Sequence, residues 1–364
     1  MSESKSPTMP LKPHKALLPL ACLYGAAVAL RNRLFDCGWL RERRFPLPVV
    51  GVGNLTVGGT GKTPHIEYLL RLLLPLGQVA VLSRGYRRQS EGFVCATRET
   101  PVAEVGDEPW QMKQKFPRAV VAVDANRCRG IERLQESVEG LKAVLLDDSF
   151  QHRYVKPGIN ILLVDSRRPV WDDRMLPAGY LREPAAGKRR ADVVILTKCP
   201  PDMPEAEADR LRTRLQPLPH QQVFFTTLAY GQLRPLFGSD ATERPLSCLQ
   251  GHTAVLLTGI AAPQPLAEEV GRWARVVPLT FGDHHDFSPA DLHLLAETCR
   301  RADRPAVVTT EKDAARLSSL SGYYPEELRK CTYVLPVEVR FLYGDDKKFN
   351  KIITEYVEPH PTNG

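Results

Sequence analysis

The stretch NLTVGGTGKTP, Asn54 to Pro64, places three glycines, a lysine and a hydroxyl residue in the order of an anion cradle. Aligned with the phosphate-loop pattern G-x-x-x-x-G-K-[ST], it supplies Gly61, Lys62 and Thr63 in register, with Thr56 where the pattern opens on glycine. Gly58, Gly59 and Gly61, with Thr60 among them, let successive backbone N–H groups turn toward anionic oxygens with no Cβ in the way. In such a loop Lys62 reaches the terminal phosphates of a nucleotide and the Thr63 hydroxyl ligates magnesium. The flanks agree with this reading. FPLPVVGVGNL, Phe45 to Leu55, has the apolar run of a buried strand, and HIEYLLRLLLPL, from His65, has helical apolar spacing, so the loop sits at a helix N-terminus where the dipole favours anions. A plain glycine turn is the alternative, but it does not call for the lysine and the hydroxyl in this order after a strand. The K-G-G-x-G-K-T loop of dimerising partitioning ATPases is set aside by Val57, which stands where that loop has its first lysine.

Further strands deliver polar residues at their C-terminal ends. QVAVLSRGYRR, Gln78 to Arg88, ends in a basic turn, and FPRAVVAVDANR, Phe116 to Arg127, follows. GLKAVLLDDSFQHR, Gly140 to Arg153, ends a hydrophobic strand on the adjacent carboxylates Asp147 and Asp148, the pattern that holds Mg²⁺ behind a phosphate loop. INILLVD, Ile159 to Asp165, and ADVVILTKC, Ala191 to Cys199, read as parallel strands separated by the loop PAGYLREP, Pro177 to Pro184. This alternation predicts an α/β doubly wound sheet. Thr197-Lys198 resembles the start of a guanine-reading motif, but Pro200 stands where that motif needs aspartate, so guanine specificity is not predicted.

With 364 residues the chain is long enough for two domains. The pattern loosens around LAYGQLRPLFG, Leu228 to Gly238, and a new αβ series begins at HTAVLLTGIA, His252 to Ala261. The predicted organisation is therefore an N-terminal segment 1–40, a nucleotide-binding domain 41–227, a linker 228–250, a second domain 251–345, and a C-terminal segment and tail 346–364. In the second domain Asp283, His284, His285 and Asp286 follow a strand, and their spacing alone leaves a metal cluster, a pH-sensitive turn and acid/base machinery all open. Eight cysteines at irregular intervals, with no C-x-x-C, point to neither a zinc site nor a disulfide framework and fit a reducing compartment. A net charge of +7 favours acidic partners without choosing among phosphates, anionic lipid and nucleic acid.

Near the N-terminus, ALLPLACLYGAAVAL runs from Ala16 to Leu30 without a charge, between Lys12 and Lys15 on one side and Arg31 and Arg33 on the other. It is shorter than the roughly 20 residues that span a bilayer. A buried core helix is one reading; the bracketing cations, with Phe35 and Trp39 close behind, favour insertion into an anionic interface.

Taken in order, GNLTVGGTGKTP, SRGY at Ser83 to Tyr86, GDEP at Gly106 to Pro109, LDDSFQHR at Leu146 to Arg153, PAGYLREP, LTGIAAP at Leu257 to Pro263, FGDHHDF at Phe281 to Phe287 and TTEKDAARL at Thr309 to Leu317 resemble the tetraacyldisaccharide 4′-kinase family, the lipid A 4′-kinases of Gram-negative bacteria. That family's loop also has threonine at the position of Thr56. The resemblance implies a P-loop NTPase-like αβα sandwich, a second and smaller αβα domain, a short two-stranded β linker and an N-terminal membrane-associated helix. It implies ATP and Mg²⁺ as cofactors, and transfer of the γ-phosphate to the 4′-hydroxyl of an acylated glucosamine disaccharide 1-phosphate. The expected place is the cytoplasmic face of the bacterial inner membrane, peripheral or monotopic. The expected partners are that lipid and the anionic membrane surface, with neither nucleic acid nor an obligate protein partner.

By motif position Asp107 resembles the family's catalytic aspartate, and His284 the histidine paired with it across a cleft. Asp147, Asp148, His152 and Glu183 match positions near magnesium and phosphate, and Arg84 and Tyr86 fall in the substrate or phosphate vicinity. Without the resemblance, GDEP reads as a turn opening a helix, with Asp107 as a cap and Pro109 in the first turn. Two departures stand out: Ser149 and Arg87 occupy positions where the family usually has glycine. A nucleotide-switched membrane-binding ATPase and a soluble small-molecule kinase are the competing functions, and Val57 argues against the first.

Overall fold

The computed structural model describes residues 15–237, 242–260, 262–283 and 285–358. Two compact units emerge, neither continuous in sequence: residues 1–84, 118–228 and 339–364 form one, and 85–117 and 229–338 the other.

The first unit is built on a mainly parallel sheet whose strands run, in spatial order, Val193–Thr197, Ile159–Asp165, Val49–Asn54, Leu141–Asp147, Gln78–Ser83 and Val120–Val123. These are the Val-, Leu- and Ile-rich runs of the sequence, and nearly every residue in them is buried, as expected for strands covered on both faces. The register sets Val52 beside Asp147, so the strand that feeds the glycine loop and the strand that ends on the aspartate pair are direct neighbours. Helix Lys62–Leu73 follows the loop and buries Ile66, Leu69, Leu70 and Leu73 against the sheet. Gln222–Tyr230 and Val337–Phe341 pair at the sheet's edge, and in these two strands the chain passes from one unit into the other.

The helix Leu18–Asp36 contains the uncharged N-terminal run. A core helix is excluded, because only Ala21 and Phe35 along it are buried, while Leu20, Leu23, Tyr24 and Leu30 are exposed. Its C-terminal part is held by polar contacts: Arg31 donates to the Gln151 carbonyl at 2.8 Å, and Arg153 donates to the Asn32 carbonyl and the Asp36 carboxylate at 2.9 and 2.8 Å. Among the described residues no helix is long and apolar enough to cross a membrane.

The second unit has its own sheet, Arg275–Thr280, Thr253–Thr258, Pro305–Thr310 and Thr332–Leu335 in parallel order, closed by the antiparallel pair Arg234–Pro235. Helices Pro289–Arg300 and Glu311–Ser318 pack on it, joined by Asp107–Lys115 from the 85–117 segment. A linear reading of the chain assigns that segment to the nucleotide-binding half. Its membership in the second unit reflects ion pairs to helix Glu311–Ser318, Asp107 to Arg316 at one end and Lys115 to Glu311 at the other.

Candidate functional site

In the first unit the glycine loop is drawn open by the protein around it. Gly58 and Gly61 have φ of +97° and +87°, a region glycine enters without steric cost. Thr56 makes an antiparallel bridge to Leu181, and the Val57 N–H donates to the Tyr180 carbonyl at 2.8 Å. The loop therefore starts as extended backbone, and threonine serves there as well as glycine. The carbonyls are then taken one after another by side chains: Arg168 donates to Val57 at 2.7 Å, Lys198 to Gly59, the Thr197 hydroxyl to Thr60 at 2.9 Å, and the His65 ring to Gly61 at 2.7 Å. Asn54 adds a 2.9 Å bond to the Thr60 hydroxyl. Among the described residues the N–H groups of Gly58, Gly59, Thr60 and Gly61 have no acceptor, which is the condition of a nest for phosphate oxygens. Thr63 lies in the first turn of the following helix.

His65 is buried, and with Nδ1–H given to Gly61 its Nε2 is the acceptor for the Thr226 hydroxyl at 3.2 Å. Burial pulls the imidazole down to about 4 against the opposing hydrogen bond to Gly61, so the ring is neutral at physiological pH.

Lys62 Nζ stands 3.6 Å from Asp148 Oδ1, which brings the loop lysine and the aspartate pair together. Asp147 is buried and accepts from the Ser83 hydroxyl at 3.2 Å. Asp148 sits in left-handed backbone, φ +47°, and is gripped by both terminal nitrogens of Arg182 at 3.0 and 2.8 Å. Burial raises its pKa, but the Arg182 hydrogen bonds and the charges of Lys62, Arg182 and Arg127 outweigh it and hold the carboxyl at about 2. Glu183 is buried, and its Oε2 accepts from Arg190 at 2.5 Å and from Asn32 at 3.3 Å, while Oε1 has no partner among the described residues. Arg84 is exposed at the end of its strand. His152 is lowered to about 4, first by burial and then by the charges of Arg127, Arg31 and Arg84. The aspartate pair is thus ringed by guanidinium groups, a field that favours a polyanionic ligand.

In the second unit the GDEP and SRGY segments meet backbone to backbone. Gly106 caps helix Asp107–Lys115 at φ +89° and ψ +163°, and a Cβ there would lie 2.8 Å from the Tyr86 carbonyl. A Cβ on Gly85 would lie 3.0 Å from the Val105 carbonyl. A turn opens the helix here as the bare reading anticipates, but Asp107 is its first residue and not its cap, and its carboxylate makes no capping bond: Oδ2 accepts both Nε and Nη2 of Arg316, at 2.9 and 2.5 Å, and Oδ1 has no hydrogen bond among the described residues. Tyr86 is exposed, with the Arg87 guanidinium 5.6 Å from its ring. Arg87 adopts φ +59°, which explains why glycine is the usual residue there. Ser149 is buried, and its hydroxyl has no hydrogen-bond partner among the described residues.

His284 lies outside the described residues. Its neighbour His285 bonds Asp291 at 3.0 Å and stacks on Phe281 at 4.5 Å, and Asp283 pairs with Lys312 at 3.8 Å. His285 is thereby spent on local structure, and no cluster of three or more His, Cys, Asp or Glu side chains suited to a metal exists among the described residues. Asp107, in the segment 85–117, folds with the second unit.

Residue spacing pointed to the aspartates and the loop, but not to Arg182, Arg168, Lys198 or Arg316. Arg168, Arg182 and Lys198 act from strand ends or loops remote in sequence, and Arg316 acts from a helix. Only Arg316 left a trace, three residues after Asp313 on one helix face.

Comparison with known proteins accords with this geometry. The family model described as tetraacyldisaccharide-1-P 4′-kinase matches residues 13–358. A tetraacyldisaccharide 4′-kinase of Phocaeicola vulgatus is 47% identical over 358 residues, 97% of this chain and 98% of that protein. One from Bacteroides fragilis is 48% identical over 362 residues, with 97% and 96% covered. The crystal structure of the "apo" form of LpxK from Aquifex aeolicus in complex with ATP superposes with a TM-score of 0.72 at 29% identity, covering 94% of this chain and 98% of that one. A glycine loop opened by side chains, an aspartate pair at the neighbouring strand end and a family match over nearly the whole chain lead to one conclusion: the chain belongs to the tetraacyldisaccharide 4′-kinase family.

Proposed function

We propose that this chain transfers the γ-phosphate of ATP to the 4′-hydroxyl of a tetraacylated glucosamine disaccharide 1-phosphate. The observation that carries the reading is the approach of Lys62 to Asp148, which puts a phosphate-binding lysine and a metal-binding carboxylate at one point beside the open loop. Gly58 to Thr63 cradle the triphosphate through backbone N–H groups and the Lys62 charge. The hard oxygen donors Thr63, Asp147 and Asp148 suit Mg²⁺, which needs only one or two carboxylates when phosphates complete its shell, and Asp148 is kept ionised for that purpose. When bound, the ion neutralises charge that develops on the phosphate oxygens. Glu183, committed to Arg190 and Asn32, acts as an anchor for the 177–184 loop and the N-terminal helix rather than as a ligand. Arg84, Arg127 and His152 lie where the acceptor's or the nucleotide's phosphates are attracted.

A sugar hydroxyl is a poor nucleophile at neutral pH, and Asp107 accepts its proton as the phosphoryl group moves. With Oδ2 fixed, Oδ1 is the oxygen presented to the acceptor. A carboxylate on magnesium is a weaker base than one away from it, which selects Asp107 over Asp147 for this step. His284 supports Asp107, and Tyr86 lies on the acceptor side. The exposed apolar face of helix Leu18–Asp36 with Trp39 seats the enzyme in the anionic cytoplasmic leaflet of the inner membrane, bringing it to a lipid acceptor. The test is phosphoryl transfer by Lys62→Ala and Asp147→Asn. Both variants lose turnover while staying folded; normal turnover by either shows that the nucleotide site has been misplaced.

A further inference from the structure

Residue spacing assigns TTEKDAARL, Thr309 to Leu317, no chemistry of its own, yet in the second unit it builds a buried chain of bonds that ends on Asp107. Asp313 is wholly buried. Its Oδ2 accepts from the Gly259 N–H at 3.0 Å and the Thr310 hydroxyl at 2.8 Å, and its Oδ1 faces Arg316 Nη1 at 3.4 Å. Gly259 allows this approach, since a Cβ there would stand 3.2 Å from Asp313. Arg316, itself buried, also reaches the Gly259 carbonyl at 3.5 Å, and turns its Nε and Nη2 to Asp107 Oδ2. A guanidinium held on one side by a buried carboxylate has little freedom left on the other. Its planar fork therefore fixes both the position and the rotation of the Asp107 carboxylate.

We infer that Arg316 is a positioning residue for the phosphoryl transfer: buttressed by Asp313, it clamps Asp107 Oδ2 so that Oδ1 meets the acceptor hydroxyl in a productive orientation. This rests on Asp107 being the base. A simple helix clamp would already be served by the Lys115–Glu311 pair at 2.7 Å, further along the same two helices. What the Arg316 fork adds is a second bond to one carboxylate oxygen, which leaves the other oriented.

The experiment measures turnover of the disaccharide lipid by the full-length enzyme and its Asp107→Ala, Arg316→Ala, Arg316→Lys and Asp107→Ala/Arg316→Ala variants, beside nucleotide titrations that report an intact first unit. Loss of orientation at a reacting group costs on the order of 10²-fold. Arg316→Ala is expected to lose about that much in kcat with KM for ATP little changed, and Arg316→Lys to recover part of it through charge without the fork. Millimolar guanidinium should raise the activity of Arg316→Ala but not that of the double variant. The double variant should be no worse than Asp107→Ala alone, because the positioning is exerted on that carboxylate. Should Arg316→Ala prove unstable, Arg316→Lys and its combination with Asp107→Ala carry the same distinction. A silent Asp107→Ala refutes the base assignment itself. A dead Asp107→Ala with near-normal Arg316 variants, or losses that multiply in the double variant, overturns the positioning role alone.

Discussion

Lowering the pH should loosen the first unit through His65, and by an amount the structure sets. Burial holds this imidazole at about 4, against 6.5 for an ordinary histidine, with only the Gly61 bond opposing. Between those values the unfolded chain binds a proton that the folded chain refuses, so the stability His65 contributes is complete above pH 6.5 and is lost as the pH falls toward 4. At pH 5 the loss is about 2 kcal/mol and near pH 4 about 3 kcal/mol, each tenfold difference in proton affinity being worth about 1.36 kcal/mol. Protonation keeps the Nδ1–H bond to the Gly61 carbonyl and turns Nε2 from acceptor to donor toward the Thr226 hydroxyl. His152 is lowered in the same window and must be separated from it. Urea unfolding of the wild type and His65→Leu at about pH 7.5 and about pH 5 does this, since His152 contributes equally to both proteins. The wild type should lose about 2 kcal/mol more than the variant across that interval. Equal losses in the two proteins would refute the claim that His65 is buried neutral beneath the loop.

Gly106→Ala should destabilise the second unit by roughly 1–3 kcal/mol, because φ +89° and ψ +163° belong to glycine almost alone, and turnover should fall with it since Asp107 follows directly; thermal melts and lipid kinase assays read both. Arg87→Gly should stabilise the fold by roughly 0.5–1 kcal/mol, the cost of left-handed arginine less the added entropy of glycine in the unfolded chain, measured by denaturant midpoint. Deleting residues 1–30 should reduce sedimentation with anionic vesicles, and added salt should weaken what remains; full retention by the truncated protein would remove the helix from the membrane contact.

The parallel strands were legible because both-face burial makes them continuous apolar runs, and Ile159–Asp165 falls where the sequence places it. The loop and Asp147 were legible because phosphate chemistry fixes residue type and order over a short span. Thr56 resolved once its extended bridge to Leu181 was seen. What sequence reading could not supply was the long-range polar scaffold. Nothing local to Arg168 or Lys198 tells that each holds a loop carbonyl more than a hundred residues earlier, and nothing local to Asp107 tells that its segment folds with the second unit. Such contacts depend on which elements the topology brings together, and Asp107 with Arg316, on two helices far apart in sequence, is the clearest case.

The central claim is lipid phosphorylation, and product mapping tests it most directly. Purified enzyme is given radiolabelled ATP, Mg²⁺ and a tetraacylated disaccharide 1-phosphate in mixed micelles, and the labelled lipid is mapped for the position of its new phosphate. We predict label on the 4′-oxygen, one phosphate per ATP consumed, abolished by Lys62→Ala and by Asp107→Ala. ATP consumed without label in the lipid, or label at another oxygen, would contradict the account.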